Sequence, residues 1–400
     1  MFISLKTINR FLDRLVRLEP RALEKGRSGF RTFAFAGLGL AVTLALALKA
    51  PLGLSVWVLL ILVLSSVSTY FALSVVTGRI MGEARLIYYH HVIAVTVVAA
   101  GVLWLMDQPI LPYLDVTILG LGTILAFGRL GCLIGSCCHG RPSRLGVCYT
   151  EEHAASGIPP YLVGVRLFPV QGLESLLAFC IVPIGVVLAL TSHRAGEALS
   201  WFVVTYASGR FAFEFVRGDA PRPYFFEFSE AQLTSLILAC LITVGEAQGV
   251  LPFHLWHMVV TGCLVITMIA TTLVRRLRRT ARHLLLHPRH VSEVAQALEW
   301  VANLATTKAA FSEDDSAPSN IKVGTTSLGI QISASTIEQG GRSIYHYALS
   351  SRAGTISEET VKTLARLILQ LKHPSGATEL ARGNRGVFHL LVHPRSKQLT

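Results

Sequence analysis

The chain is 400 residues long, with 52% hydrophobic and 15% charged residues, and its mean hydropathy of +0.53 excludes an ordinary water-soluble globular protein in favour of a polytopic membrane protein. The net charge of +12 sits in an N-terminal arm and in a run at 275–282, both flanking apolar stretches. Such clusters are topology and lipid signals, and without any aromatic or fold signature for nucleic acid they exclude a nucleic-acid partner.

Residues 1–32 carry Lys6, Arg10, Arg14, Arg17, Arg21, Lys25, Arg27 and Arg31 between apolar positions such as Phe2, Leu5, Ile8, Phe11 and Leu15. No small-residue cleavage site follows a short apolar core, so the spacing predicts an amphipathic helix on an anionic leaflet rather than a cleaved signal peptide. Eight apolar runs of bilayer-spanning length, roughly 17–25 residues, follow at 33–49, 52–77, 87–106, 113–132, 168–192, 198–217, 231–248 and 252–274. Residues 33–274 are therefore the membrane domain, and 275–290 form a basic juxtamembrane linker.

Beyond the linker the pattern changes. Helical spacing runs from Val291 to Thr306, a polar stretch covers Ser312–Asn320, and alternation sets in over 321–332. A turn at Gly340-Gly341 precedes a strand at 343–349, Ser357 caps a helix running to Leu371, and 386–392 reads as a closing strand. The expected fold class is an all-α polytopic membrane domain of seven or eight transmembrane helices followed by a small α+β soluble domain, 291–400, whose own apolar periodicity predicts that its removal leaves the membrane domain intact. With eight spans, loop charges put both basic ends in the cytoplasm.

Arginines lie inside or at the ends of the apolar runs. A charge at membrane depth is costly unless it faces a cavity or a partner, so these mark a functional site, and an anionic headgroup is the ligand they suit. The first segment is Gly128-Arg129-Leu130-Gly131-Cys132-Leu133-Ile134-Gly135-Ser136-Cys137-Cys138-His139-Gly140-Arg141, whose glycines let backbone approach a ligand. The second, Phe168-Pro169-Val170-Gln171-Gly172-Leu173-Glu174, places a carboxylate where a span would carry leucine. In the third, Tyr206 to Asp219, the spacing of Arg210, Glu214 and Arg217 puts all three on one helical face, where Glu214 can hold both arginines.

The cysteines admit several readings. Cys132, Cys137, Cys138 and Cys148, with His139 among them, have ligand chemistry suited to zinc, yet their spacing is unlike the paired-knuckle pattern. Packing or a reactive thiol is the expectation, a disulfide ranks ahead of a metal, and no metal or cofactor is expected. His283, His287 and His290 are expected to be interfacial and solvated, and His254 and His257 to mark an interface.

These three segments, in this order, resemble the bacterial prolipoprotein diacylglyceryl transferases, with Gly128, Arg129, Gly131, Gly140 and Arg141 matching the first motif. Pro169, Gln171 and Glu174 match the second, Tyr206, Arg210, Glu214 and Arg217 the third, and His90 or His91 the family's histidine on the preceding span. The resemblance implies a multi-pass enzyme of the bacterial plasma membrane that needs no cofactor. Its substrates would be phosphatidylglycerol, or another anionic phospholipid, and a lipoprotein precursor bearing a lipobox cysteine; the thiol takes the diacylglyceryl group and glycerol phosphate leaves. In that chemistry Arg129 and Arg210 would hold the phosphate with Arg141 or Arg217 in support, His90 or His91 would accept the thiol proton, and Glu174 and Glu214 would orient arginines or glycerol hydroxyls. Gly128, Gly131, Gly140, Gln171 and Tyr206 would line the substrate.

Two departures stand out. Cys132 occupies the place of the family's asparagine and Cys137 that of an acidic residue, and a thiol lacks an amide's two-sided hydrogen bonding. The other reading of the residues is thus a non-catalytic module that binds anionic lipid and presents the soluble domain to a partner; a transporter would require an inverted repeat that the sequence lacks. The resemblance also implies that the first motif faces the outer side, against the placement read from loop charge.

Overall fold

The computed structural model describes residues 4–18, 28–81, 88–192, 194–219, 223–226, 228–277, 282–309, 322–339, 342–373 and 376–393. Residues 19–27 of the arm, Arg278 and Arg279 of the basic run, the 312–320 stretch, the 340–341 turn and the side chain of His283 lie outside this description.

After a short helix α1 (Leu5–Val16) come eight helices: α2 (Gly29–Lys49), α3 (Val56–Met81), α4 (Tyr88–Leu105), α5 (Ile110–Ile134), α6 (Val170–Thr191), α7 (Glu197–Phe213), α8 (Glu230–Ala247) and α9 (Leu255–Leu277). Seven of them, all but α7, are long and apolar enough to cross a membrane, which makes this a multi-pass membrane protein. At 17 residues, α7 is shorter than the 198–217 run suggests. Its helix stops at Phe213 because the backbone beyond it pairs elsewhere: Val216 O accepts from Arg141 N at 3.0 Å, and Gly218 N donates to His139 O at 2.9 Å.

Helix α5 is the axis of the bundle, packed against α2, α4, α6 and α7 with Leu119, Leu125 and Ala126 buried. Apolar side chains on the outside, such as Trp57, Leu64, Phe71 and Ile80 of α3, are exposed as a lipid-facing surface requires. Inside, Asp115 of α5 accepts hydrogen bonds from Gly196 N and Leu199 N, both 2.7 Å, and so caps the N-terminus of α7. His257 pairs with Glu246 and His254 with Glu197 at 2.6 Å, which joins α9 to α8 and α7.

The helices are joined at one end of the bundle by the short segments 50–55, 106–109, 192–196 and 248–254. At the other end lie α1, the long α5–α6 connection and the C-terminal region. That connection holds strand β1 (Pro142–Cys148) paired antiparallel with β2 (Arg166–Leu167). The polar face of α1 is anchored on it: Asp13 pairs with Arg166 at 2.9 Å and accepts from Cys148 N at 2.9 Å, and Asn9 accepts from Gly146 N at 2.9 Å. Helix α1 is thus tied into the protein and does not merely rest on a leaflet.

Both ends of the described chain and the first motif therefore share one end of the bundle. Among the short connections at the opposite end, Arg194 is the sole Lys or Arg. Loop charge predicts that the basic end is cytoplasmic, whereas the family resemblance predicts that it faces the outer side. Reporter fusions after Arg31 and after Arg282 are expected to fluoresce as cytoplasmic green fluorescent protein and to be inactive as alkaline phosphatase. The reverse pattern would place the site on the outer side, as the family resemblance implies.

Past a short bridging ribbon, β3 (Tyr224–Phe225) with β4 (Phe228–Ser229), and a turn of helix α10 (Arg282–Leu285), the C-terminal region comprises α11 (Pro288–Ala309), β5 (Gly324–Thr325), β6 (Ile330–Gln339), β7 (Arg342–Ser351), α12 (Glu358–Lys372), β8 (Ala377–Arg382) and β9 (Phe388–His393). The strands form one antiparallel sheet in the order β5-β6-β7-β9-β8. The Ser357 side chain caps α12 by accepting from Thr360 N, as its sequence position predicts. Strand β8 escaped the sequence reading because Ala377–Arg382 lies at the sheet edge with every residue exposed and shows no half-buried alternation.

Independence of this region is not what the structure shows. Val294, Leu298, Leu364 and Ile368 share one continuous core with Leu133, Val147, Tyr149, Ile158 and Leu162 of the α5–α6 connection and with Val16 of α1. Tyr161 hydroxyl and Ser292 hydroxyl hydrogen-bond at 2.7 Å across the seam. His290 is likewise buried rather than solvated, its ring bonded to Leu285 O at 2.8 Å and to Thr326 Oγ1 at 3.1 Å.

Burial lowers the pKa of His290 and of His373, whose ring meets the Tyr347 hydroxyl at 2.7 Å. A histidine with a lowered folded-state pKa binds fewer protons than the unfolded chain, so its stabilisation is present above the ordinary pKa of about 6.5 and is lost as pH falls below it. Amide-exchange protection of the sheet, corrected for intrinsic rates, is expected to drop between pH 7.5 and pH 5. Unchanged protection would contradict neutral burial of these rings.

Candidate functional site

The three motifs converge at the end of α5. The loop after it is sewn to the start of α6 by Gly140 N→Phe168 O, 3.1 Å, and Phe168 N→Arg141 O, 2.9 Å. It is sewn to the segment after α7 by a bridge between Gly140 and Arg217 and by Arg141 Nε→Arg217 O, 3.2 Å. Glycine is required at 140: a Cβ there would lie 2.3 Å from Phe168 O. Gly131 faces Phe30 of α2, and space is open around Gly128. Of the glycines expected to admit a ligand, two thus admit other parts of the protein.

The charged residues form one chain across three elements. Arg129 of α5 meets Glu174 of α6 at 3.1 Å, Glu174 lies 3.8 Å from Arg210 of α7, and Arg210 pairs with Glu214 at 2.6 Å. Glu214 then reaches Arg217 at 3.8 Å, and Arg217 ends on Asp219 at 2.7 Å. Glu214 bridges both arginines as the spacing predicts, although Arg217 lies past the helix end. Tyr206 donates to Glu174 Oε1 at 2.6 Å, and Gln171 donates to Cys137 O at 2.7 Å. Arg129, Glu174, Arg210, Glu214 and Arg217 are all buried.

Desolvating these ions costs several kcal/mol each, about, and is offset only if each donor and acceptor is used. Yet Arg210 Nη1, Arg217 Nη1 and Gln171 Oε1 are buried with no hydrogen-bond partner among the described residues, and Arg129 Nε faces Glu174 off the line of a hydrogen bond. Unused guanidinium donors of this kind have the chemistry to bind an anion with several oxygens. The count of Arg129, Arg141, Arg210 and Arg217 against Glu174, Glu214 and Asp219 leaves one formal positive charge, the complement of a phosphodiester.

The segment 86–246 matches the family model described as prolipoprotein diacylglyceryl transferase. Residues 86–246 are thus similar to that family. The match begins just before α4, ends within α8 and contains all three motifs. Over 129 residues the chain is 30% identical to the phosphatidylglycerol–prolipoprotein diacylglyceryl transferase of Clostridium tetani, covering 32% of this chain and 49% of that protein. It is 29% identical over 131 residues to the second such transferase of Clostridium perfringens, with coverages of 32% and 48%. It is 32% identical over 130 residues to that of Dehalococcoides mccartyi strain 195, with coverages of 32% and 47%. The chain thus spans about half the length of the curated relatives it matches. No solved structure matches it.

Within the family segment the two histidines part company. His90 pairs with Glu230 at the start of α8, and His91 is buried on the other side, 3.3 Å from Ser74 Oγ with its ring against Tyr70. Their neighbours Tyr88 and Tyr89 face the charge chain. Both pack edge-on against Tyr206, at 5.4 and 5.9 Å between ring centres; Tyr88 is in electrostatic range of Arg129 and Tyr89 of Arg210. The Tyr88 hydroxyl is buried with no hydrogen-bond partner among the described residues. Sequence reasoning missed both tyrosines; the available signal was two hydroxyls heading an otherwise apolar span. Asp219, also missed, follows Arg217 by two residues and holds its Nε.

Proposed function

We propose that this protein transfers a diacylglyceryl group from phosphatidylglycerol to the cysteine thiol of a lipoprotein precursor's lipobox in a bacterial plasma membrane. What carries the reading is the set of buried, unused guanidinium donors on Arg210 and Arg217 beside Arg129. In the reaction the acceptor sulfur forms a bond to the glyceryl CH₂, the C–O bond to the headgroup phosphate breaks, and glycerol phosphate departs with the electron pair. Negative charge grows on the phosphate oxygens, so fixed donors there lower the barrier, and the low-dielectric surroundings strengthen them. Bidentate arginine also orients the leaving group in line with attack. Glu174 and Glu214 act by fixing the arginines; Tyr206 fixes Glu174. His90, paired with Glu230 and partly exposed, takes the thiol proton and passes it to water.

Cys132 in place of an amide favours a second reading, in which lipid is held and not turned over. Binding and turnover are separable. Native mass spectrometry of the purified protein is expected to show one phosphatidylglycerol retained, with phosphatidylethanolamine failing to replace it, and the lipid lost from an Arg210→Lys variant. Equal retention of the zwitterionic lipid would remove the arginines from headgroup recognition and with them this proposal.

A further inference from the structure

The cysteines of the first motif do not disperse into packing positions. Cys132 lies on the last turn of α5, and the loop returns Cys137 and Cys138 to it so that the three sulfurs lie within 4.8 Å of one another. Cys148, expected as a possible fourth member, is not in the group; its amide is bonded to Asp13. The return is built with backbone that non-glycine residues avoid: Ser136 and Cys138, on either side of Cys137, have φ of 58° and 53°. Each such position costs on the order of 1–3 kcal/mol and persists where the surroundings enforce it, most often at functional sites. The enforcement is visible in Gln171 Nε2→Cys137 O at 2.7 Å, Gly218 N→His139 O at 2.9 Å and Tyr149 hydroxyl→Leu133 O at 2.7 Å.

Simple packing does not require two left-handed residues, and a disulfide would use two sulfurs and strand the third. Three thiolates converging on one point suit a soft d¹⁰ cation. With zinc–sulfur bonds of about 2.3 Å, tetrahedral sulfurs sit roughly 3.8 Å apart, so each pair needs to close by at most about 1 Å. Three thiolates and a divalent ion carry a net single negative charge, and the neighbouring Arg129 and Arg217 both interact electrostatically with Cys138. Neutral thiols offer those buried cations nothing comparable.

Against the expectation that this loop holds no metal, we propose that Cys132, Cys137 and Cys138 form a three-thiolate site for zinc. Three protein ligands leave one tetrahedral position open, as in zinc sites that act on a substrate. Exposed Cys137 puts the site within reach of solvent. Resting on the transferase reading, the ligand for that position is the acceptor cysteine, which binds as thiolate, its proton passing through His90 to water.

The test is metal analysis of the full-length protein purified in detergent under reducing conditions, stripped with a chelator and reloaded with Zn²⁺ or with Co²⁺ as a spectroscopic probe. One equivalent per chain is expected, with a sulfur-to-cobalt charge-transfer band that intensifies when a cysteine-containing lipobox peptide is added and not when its serine counterpart is. Cys137→Ser and Cys138→Ser should each lose the metal, while Cys148→Ser keeps the full equivalent; because Cys137 is exposed, its variant is the one that folds without repacking. No stoichiometric metal, metal retained by both loop variants, or a disulfide between two of the three in the reduced protein would overturn the site. Failure of the transferase reading reads differently: a protein that binds one zinc yet modifies no precursor leaves the site standing, whereas full transfer by metal-free protein refutes it.

Discussion

Arg210→Ala is expected to lower transfer about 10²–10³-fold, the usual consequence of removing one preorganised donor worth roughly 3–4 kcal/mol at a developing anion. Arg210 is the link between Glu174 and Glu214, so its loss also leaves two buried carboxylates less compensated, which destabilises a protein by about 3–5 kcal/mol when a buried pair is broken. Arg210→Lys separates the two effects. It restores a positive charge between the glutamates but has no planar fork, so the variant should reach the membrane in normal amount and still fail in transfer. Precursor lipidation measured per unit of membrane-inserted protein decides this; full activity in the lysine variant would remove Arg210 from the phosphate.

Deleting residues 283–400 is expected to destabilise the site end of the bundle, contrary to what the tail's separate periodicity suggests. Truncation exposes Val147, Ile158, Leu162 and Tyr149, now in one core with α11 and α12. At about 1.5–3 kcal/mol for each large apolar side chain returned to water, the exposed face costs several kcal/mol even after partial collapse. Limited proteolysis in native membranes should cut the truncated protein between β1 and β2, where the full chain resists. Equal resistance would mean that the tail is a separate unit after all.

Much of this architecture is legible in the sequence because membrane helices announce themselves by length and apolar content alone. All eight expected runs are helices, and the three motifs do meet. What the sequence conceals is contact between segments whose own patterns are complete. Val294, Leu298, Leu364 and Ile368 have the spacing of an ordinary apolar stripe, and nothing in that spacing says that the stripe is shared with Val147 and Tyr149. The end of α7 is hidden for a related reason, since Glu214 to Arg217 keep helical spacing while Gly140 and Arg141 take over their backbone hydrogen bonds. Histidine 90 or 91 stands out as a titratable group in an apolar run, whereas Tyr88 and Tyr89 look like the aromatic end of a span and become visible only once Tyr206 packs against them.

The most direct test of the central claim is to count products. Purified protein in phosphatidylglycerol vesicles is given a lipobox peptide, with phosphorus NMR following the headgroup and mass spectrometry the peptide. Glycerol phosphate and a diacylglyceryl thioether formed one for one, and neither formed with the serine peptide, is the predicted result. Phosphatidylglycerol bound at the arginines but unchanged, with the peptide unmodified, would contradict it and leave a lipid-binding module.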